Sequence, residues 1–101
     1  MSNLEIANTI LSQLGGNRFI AMTGARMPAA IENGLRFQLP RNPLKVNLVR
    51  VILDANDTYR MEFCYLDKKR CEVRILTVKT DVYADSLQTI FTDQTGLYTS
   101  L

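Results

Sequence analysis

Three runs of alternating apolar and polar residues crowd the middle of the chain and leave it few folds to choose from. They are Leu48–Leu53, Tyr59–Tyr65 and Cys71–Thr77, all within the stretch Leu44–Val78. Each is rich in β-branched or aromatic residues, the pattern of a half-buried strand. Asp54–Asp57 and Asp67–Arg70 separate them with turn-forming residues, and connections this short join antiparallel neighbours.

Matching faces sets the expected registers, because a slip of one residue turns a strand inside out. Leu53 opposite Tyr59 also places Val51 opposite Met61 and Val49 opposite Phe63. Phe63 opposite Val73 then places Met61 opposite Ile75 and Tyr65 opposite Cys71. All of these pairs are apolar, so they mark the buried face, with Tyr59, Phe63 and Tyr65 as core. The same registers align Arg50, Glu62 and Arg74 in a row on the other face. A Glu between two Args is the favourable order, worth roughly 0.2–1 kcal/mol per pair. Leu48, Ile52, Cys64 and Leu76 share that face with Arg60. Such a face is either partly covered by the protein's own helices, which is the expectation, or open to a partner.

The flanks supply helices. Leu4, Ala7, Ile10, Leu11 and Leu14 form an apolar stripe over residues 3–14, capped by Ser2 or Asn3 and ended by Gly15-Gly16. Asn17–Thr23 fits a short strand or a short helix; Ala21 and Met22 favour the helix, capped by Asn17 and stopped at Gly24. Ala25–Glu32, with Pro28 and no period, reads as a loop. Asn33-Gly34 is a turn into a strand, Leu35–Leu39, with Leu35, Phe37 and Leu39 inward. Pro40 and Pro43 bracket the next connection, and Lys45–Asn47 starts the following strand. Asp81 caps a second helix, whose residues Tyr83, Ala84, Leu87, Ile90 and Phe91 share a face and which stops by Gly96. The apolar residues of the tail 97–101 point to docking. The expected fold is α+β: an N-terminal helix, a four-stranded, largely antiparallel sheet and a C-terminal helix, with helices packed on one sheet face, all in a single domain spanning residues 1–101.

Composition narrows the function classes. Hydrophobic residues make up 47% of the chain and charged ones 22%, as in a folded rather than a disordered protein. No apolar run approaches the ~18 residues of a membrane span, and the N-terminus lacks the pattern of a secretory signal. The expectation is a cytoplasmic protein with no membrane partner. Cys64 and Cys71 point to opposite faces in the register above, which argues against a disulfide between them and for reduced thiols.

Chemistry is thinly supplied. Histidine is absent, which removes the commonest general base, and with two cysteines a structural zinc lacks its usual ligands. Gly15-Gly16 lacks the other glycines and the lysine of a phosphate loop. Charged neighbours could favour a Cys64 thiolate, but a structural thiol is the better reading. Asp54 and Asp57 could touch a borrowed divalent cation, though two acids in a turn are usually only a turn. The expectation is no enzyme, no catalytic residue, no cofactor and no metal site.

Charge is the better clue. The net charge is +2, yet residues 36–79 hold ten Lys or Arg against five acids, and residues 80–101 hold three acids alone. A concentrated basic patch attracts an anionic surface. The cations are Arg36, Arg41, Lys45, Arg50, Arg60, Lys68, Lys69, Arg70, Arg74 and Lys79. The binding residues expected from the sequence are Arg50, Arg60 and Arg74 on the sheet face, with Lys68, Lys69 and Arg70 at a hairpin tip.

A wider pattern is carried by Leu14-Gly-Gly16, Met22-Thr-Gly-Ala25, Asn33-Gly-Leu-Arg-Phe37, Asp57-Thr-Tyr59 with Glu62-Phe63, Val82-Tyr-Ala-Asp85 and Thr95-Gly-Leu-Tyr-Thr-Ser-Leu101. In these blocks the chain resembles a family of small proteins encoded by phages, prophages and related mobile elements. It departs from the family at Cys64–Cys71, where a turn containing glycine is more usual. The resemblance implies a mobile-element origin and a role inside an infected bacterium, and it implies no activity. The leading expectation is therefore a non-enzymatic accessory protein: an adaptor or inhibitor of a host or phage nucleic-acid-handling complex. The alternative is direct, sequence-independent binding of nucleic acid through the same cations. An enzyme with a borrowed metal is the third. The sequence leaves the oligomeric state open.

Overall fold

The computed structural model describes residues 2–99, so the expected docking of Ser100 and Leu101 lies outside the described residues. The described residues form an α+β fold with three α-helices and a five-stranded antiparallel sheet. The elements are α1 (Asn3–Leu14), α2 (Asn17–Thr23), β1 (Arg26–Ile31), β2 (Gly34–Gln38), β3 (Leu48–Leu53), β4 (Tyr59–Asp67), β5 (Glu72–Val82), a 3₁₀ turn (Ala84–Ser86) and α3 (Leu87–Thr95). The strands follow one another across the sheet in chain order, β1 and β5 being the edges.

Helix α1 starts where its cap dictates: Ser2 Oγ accepts the Glu5 backbone N–H. Its buried residues are Ile6, Ala7, Ile10 and Leu14, while Leu4 is exposed, so the buried stripe is rotated toward Ile6. Helix α2 forms as a helix, but Gly16 rather than Asn17 occupies its N-cap. Helices α2 and α3 end in the same device. Thr23 Oγ1 donates to Phe19 O and accepts from the Ala25 N–H; Thr95 Oγ1 donates to Phe91 O and accepts from the Leu97 N–H. Gly24 and Gly96 follow in the left-handed region, at φ 72° and 77°.

The Phe residues of these two Phe-x-x-x-Thr-Gly segments meet in the core. Phe19 lies edge-on to Phe37 at 5.3 Å and to Phe91 at 5.1 Å, tying both helices to β2. Around them cluster Ile10, Leu14, Val49, Val51, Met61, Phe63 and Leu87, all fully buried.

Several expectations need correction. Ala25–Glu32 is not a loop, because Arg26–Ile31 is the fifth strand. Pro28 is tolerated there since β1 is an edge, and the register slips between Arg26 and Ala29, beside Met27 at φ 54°. Lys45–Asn47 lies outside β3. Asp81 caps nothing: β5 continues through Val82, and α3 begins only at Leu87, leaving Tyr83 exposed.

The β3–β4 register is as expected, with Leu53 opposite Tyr59, Val51 opposite Met61 and Val49 opposite Phe63. The β4–β5 register is not. Phe63 faces Thr77, Met61 faces Lys79 and Tyr65 faces Arg74. The hairpin closes on Asp67 opposite Glu72, and Leu76 is an extra residue bulged between the Cys64–Ile75 and Phe63–Thr77 pairs. Tyr65 is exposed rather than core. Arg74 leaves the row in which Arg36, Arg50, Glu62 and Val78 are successive cross-strand partners.

Candidate functional site: the cationic end of the sheet

In a meander, alternate connections fall at the same end of the sheet. One end carries the connection 39–47 and the turn 68–71, which hold Arg41, Lys45, Lys68, Lys69 and Arg70 and no acid. The other end carries the turns 32–33 and 54–58, which hold Glu32, Asp54 and Asp57 and no cation. A charge imbalance that the sequence shows only by segment is thus a polarity along the strands.

At the cationic end lies a cleft of about 810 Å³, walled by the connection 40–47 on one side and by Tyr65, Arg74 and Leu76 on the other. Arg41, Lys45 and Arg74 line it and no carboxylate does. The wall is held by two asparagines. Asn42, itself buried, donates to Pro40 O and Val46 O and accepts the Val46 N–H. Asn47 acts as an extra rung of the β3–β4 ladder: its Nδ2 donates to Leu66 O at 3.0 Å and its Oδ1 accepts the Leu66 N–H at 2.6 Å. Both helix caps brace the same segment from behind, Gly24 against Pro40 and Gly96 against Pro43, close enough that an added Cβ would touch either proline ring.

The expected site residues are divided by this geometry. Lys68, Lys69 and Arg70 are exposed at the hairpin tip, where Asp67 Oδ1 accepts the N–H groups of Lys69 and Arg70 and fixes the turn. Arg74 joins the cleft. Arg50 and Arg60 stay on the opposite face and share one carboxylate, Glu62, at 2.9 and 3.5 Å from their Nε atoms. Those contacts are ion pairs without hydrogen-bond geometry, since both Nε atoms are shielded from water and donate to no acceptor. Arg50 also reaches Cys64 Sγ at 3.7 Å. These two arginines are tied within the sheet and are less free for an external anion. The other half of the expectation for that face also changes, because among the described residues no helix shields it along β5, where Val73, Ile75 and Val78 are exposed.

The thiols separate by environment. Both cysteines are free; Cys64 is fully buried and Cys71 is exposed. Burial pushes the Cys64 thiol above its ordinary value, and the neighbouring Arg50 only partly offsets this. A thiol-titrating reagent at neutral pH is expected to modify Cys71 promptly and Cys64 only on unfolding; equal rates would refute the burial. The same shift has a stability consequence. Below the ordinary value of 9.0 both folded and unfolded thiols hold the proton, and the contribution is fully present. As pH rises past it the unfolded thiol ionises first, and stability falls until the raised folded value is passed.

Among the described residues, no three His, Cys, Asp or Glu side chains converge as a metal site would require, and no helix is long and apolar enough to cross a membrane. Arg41 and Lys45 figure in the sequence only as cations, not as binding residues, and Asn42, Asn47 and Tyr65 are the site residues that the pattern reading missed altogether. An asparagine inside a proline-bracketed connection is a usable signal for the first, whereas Tyr65 alternates with the buried Met61 and Phe63 and so reads as core. No family model, curated protein or solved structure matches this chain.

Proposed function

We propose that this is a non-enzymatic recognition protein that binds single-stranded nucleic acid, without sequence preference, at the cationic end of its sheet. The observation that carries the reading is the cleft. It sets an exposed aromatic, Tyr65, beside Arg41, Lys45 and Arg74, with no acid on its walls, and Lys68, Lys69 and Arg70 project from the hairpin tip at the same end. Cations neutralise phosphates while an aromatic face stacks a base, the combination that single-strand binders use. The setting we infer is the cytoplasm of a bacterial host, consistent with the mobile-element resemblance.

Titration of labelled single-stranded DNA and RNA, followed by fluorescence anisotropy at ~50 and ~200 mM salt, tests this. The expected result is binding whose log–log salt slope is steeper than about −2, for roughly three or more phosphates neutralised. Arg41→Ala/Lys45→Ala/Arg74→Ala should abolish most of that slope. Tyr65→Ala should weaken binding by about 1–3 kcal/mol with the slope unchanged. Flat titrations at low salt would sink the proposal.

A second reading, an adaptor or inhibitor of a host or phage nucleic-acid-handling complex, is favoured by the face carrying Arg36, Ile52 and Leu66, where a cation and aliphatic side chains stand together. In that case a pull-down from the bacterial host loses its partner on Ile52→Ala and is indifferent to the cleft substitutions.

A further inference from the structure

The two edges of the sheet are treated very differently. The β1 edge is short, bulged and interrupted by Pro28, three devices that keep an edge from pairing with another chain. The β5 edge runs for eleven residues without a proline; it is bulged against β4 at Leu76 and again between Lys79 and Val82, and it exposes Val73, Ile75 and Val78 at 44–49%. An edge so long and apolar is a template for another strand.

We propose that the occupant is a second copy of this chain, its β5 antiparallel to the first about a two-fold axis through Ile75. The argument is register. Cross-strand partners in β4 fix the face of each β5 residue: Val73, Ile75 and Val78 lie opposite Leu66, Cys64 and Glu62, and Glu72 and Lys79 opposite Asp67 and Met61. The first three thus share one face and the last two the other. Leu76 and Thr77 together oppose the single residue Phe63, so the alternation skips a beat between them.

With Ile75 opposite Ile75 of the second copy, each bulge lies opposite Arg74 of the other chain. Beyond it Val73 meets Val78 and Glu72 meets Lys79, in both directions. Outside the bulge, every facing pair then falls on a common face, apolar with apolar and acid with base. Sliding by one residue puts Glu72 opposite Val78 or Arg74 opposite Val78, across faces. Sliding the outer pairs by two sets Arg74 opposite Lys79 and Glu72 opposite Asp81, like charge against like.

Two further features agree. Glu72 already opposes Asp67 within the chain, a like-charge pair that Lys79 of the second copy offsets. The molecule is also polar along its strands, and antiparallel pairing lays the cationic end of each copy beside the acidic end of the other. The product is one ten-stranded sheet with an isologous seam. Both clefts lie on the same side of it. The pairing does not depend on what the clefts bind.

Cross-linking and sedimentation test it on the full chain in a Cys64→Ala/Cys71→Ser background, because Cys64 lies opposite Ile75 within the same chain and would otherwise compete. Facing Cα atoms in an antiparallel pair lie about 4.5–5.5 Å apart, within reach of a disulfide. Ile75→Cys should therefore oxidise to a covalent dimer, and Tyr98→Cys, exposed on the tail, should not beyond chance collision. Sedimentation velocity of the wild-type chain should show twice 11.5 kDa. Lys79→Glu should weaken association about tenfold, and Glu72→Lys/Lys79→Glu should restore it. A chain that sediments as a monomer at every concentration overturns the proposal. So does a dimer that neither captures at Ile75 nor responds to the charge exchange.

Discussion

Phe91→Ala is expected to lower folding stability by about 3–5 kcal/mol, the range for truncating a buried aromatic. Phe91 is fully buried, lies edge-on to Phe19 and is 6.1 Å from Phe37, so one ring joins α3 to α2 and to β2. Truncation opens a cavity where three elements meet, and the Phe19 and Phe37 rings each lose a partner. A domain of this size holds about 5–15 kcal/mol in all, so roughly a fifth or more of the margin goes. Thermal unfolding followed by circular dichroism should show the midpoint falling by tens of degrees. Phe91→Leu keeps most of the volume and should lose less than about 1.5 kcal/mol. If the alanine variant melted within a few degrees of wild type, the aromatic cluster would not be the centre of the core. The effect should reach the site as well, because the cap that follows Phe91 rests on Pro43 at the back of the cleft.

What could be read from the sequence follows how far each signal depends on its neighbours. The β3–β4 pair was legible because two alternations and one short turn demand a single register. Strand β1 was not, because a proline and a bulge erase the alternation, and they survive only where an edge leaves backbone groups unpaired. The β4–β5 register failed for a related reason. Reading Asp67–Arg70 as the turn puts Cys71 into a strand, whereas the turn is residues 68–71, one residue later on both arms, and the bulged Leu76 adds a residue that alternation cannot signal. The two together put Arg74 onto the wrong face, whereas Tyr65 keeps the face of Met61 and Phe63 and is exposed all the same. The hairpin cations were visible as a charge run; their alliance with Arg41 and Lys45 was not, because only the meander brings residues 39–47 and 68–71 to one end. The repeated Phe-x-x-x-Thr-Gly segments and the two prolines they touch stood in the sequence throughout, but their meaning depends on a tertiary contact.

The largest effect from the smallest change is expected at Gly34. Its φ is ordinary, so backbone freedom is not what requires glycine; space is. A Cβ at this position would fall inside the van der Waals envelope of the Val51 carbonyl oxygen and crowd Ile52 Cα at 3.1 Å. These are backbone atoms of the neighbouring strand and cannot rotate aside, as a side chain would. Gly34 pairs with Ile52 at the start of the β2–β3 ladder, where the Leu53 N–H also donates to Asn33 O at 2.7 Å. Gly34→Ala must therefore part the strands or shift the turn, and should destabilise by at least the roughly 1–3 kcal/mol of an overpacked site. Gly34→Val should cost more and impair folding outright. Chemical denaturation of the alanine variant measures the first, and protection of the Leu53 amide from hydrogen exchange localises it. The test discriminates between causes. If glycine served only to ease the turn, Asn33→Gly/Gly34→Ala would recover stability; if it serves close approach, the added freedom at residue 33 leaves the clash with Val51 in place and nothing is recovered.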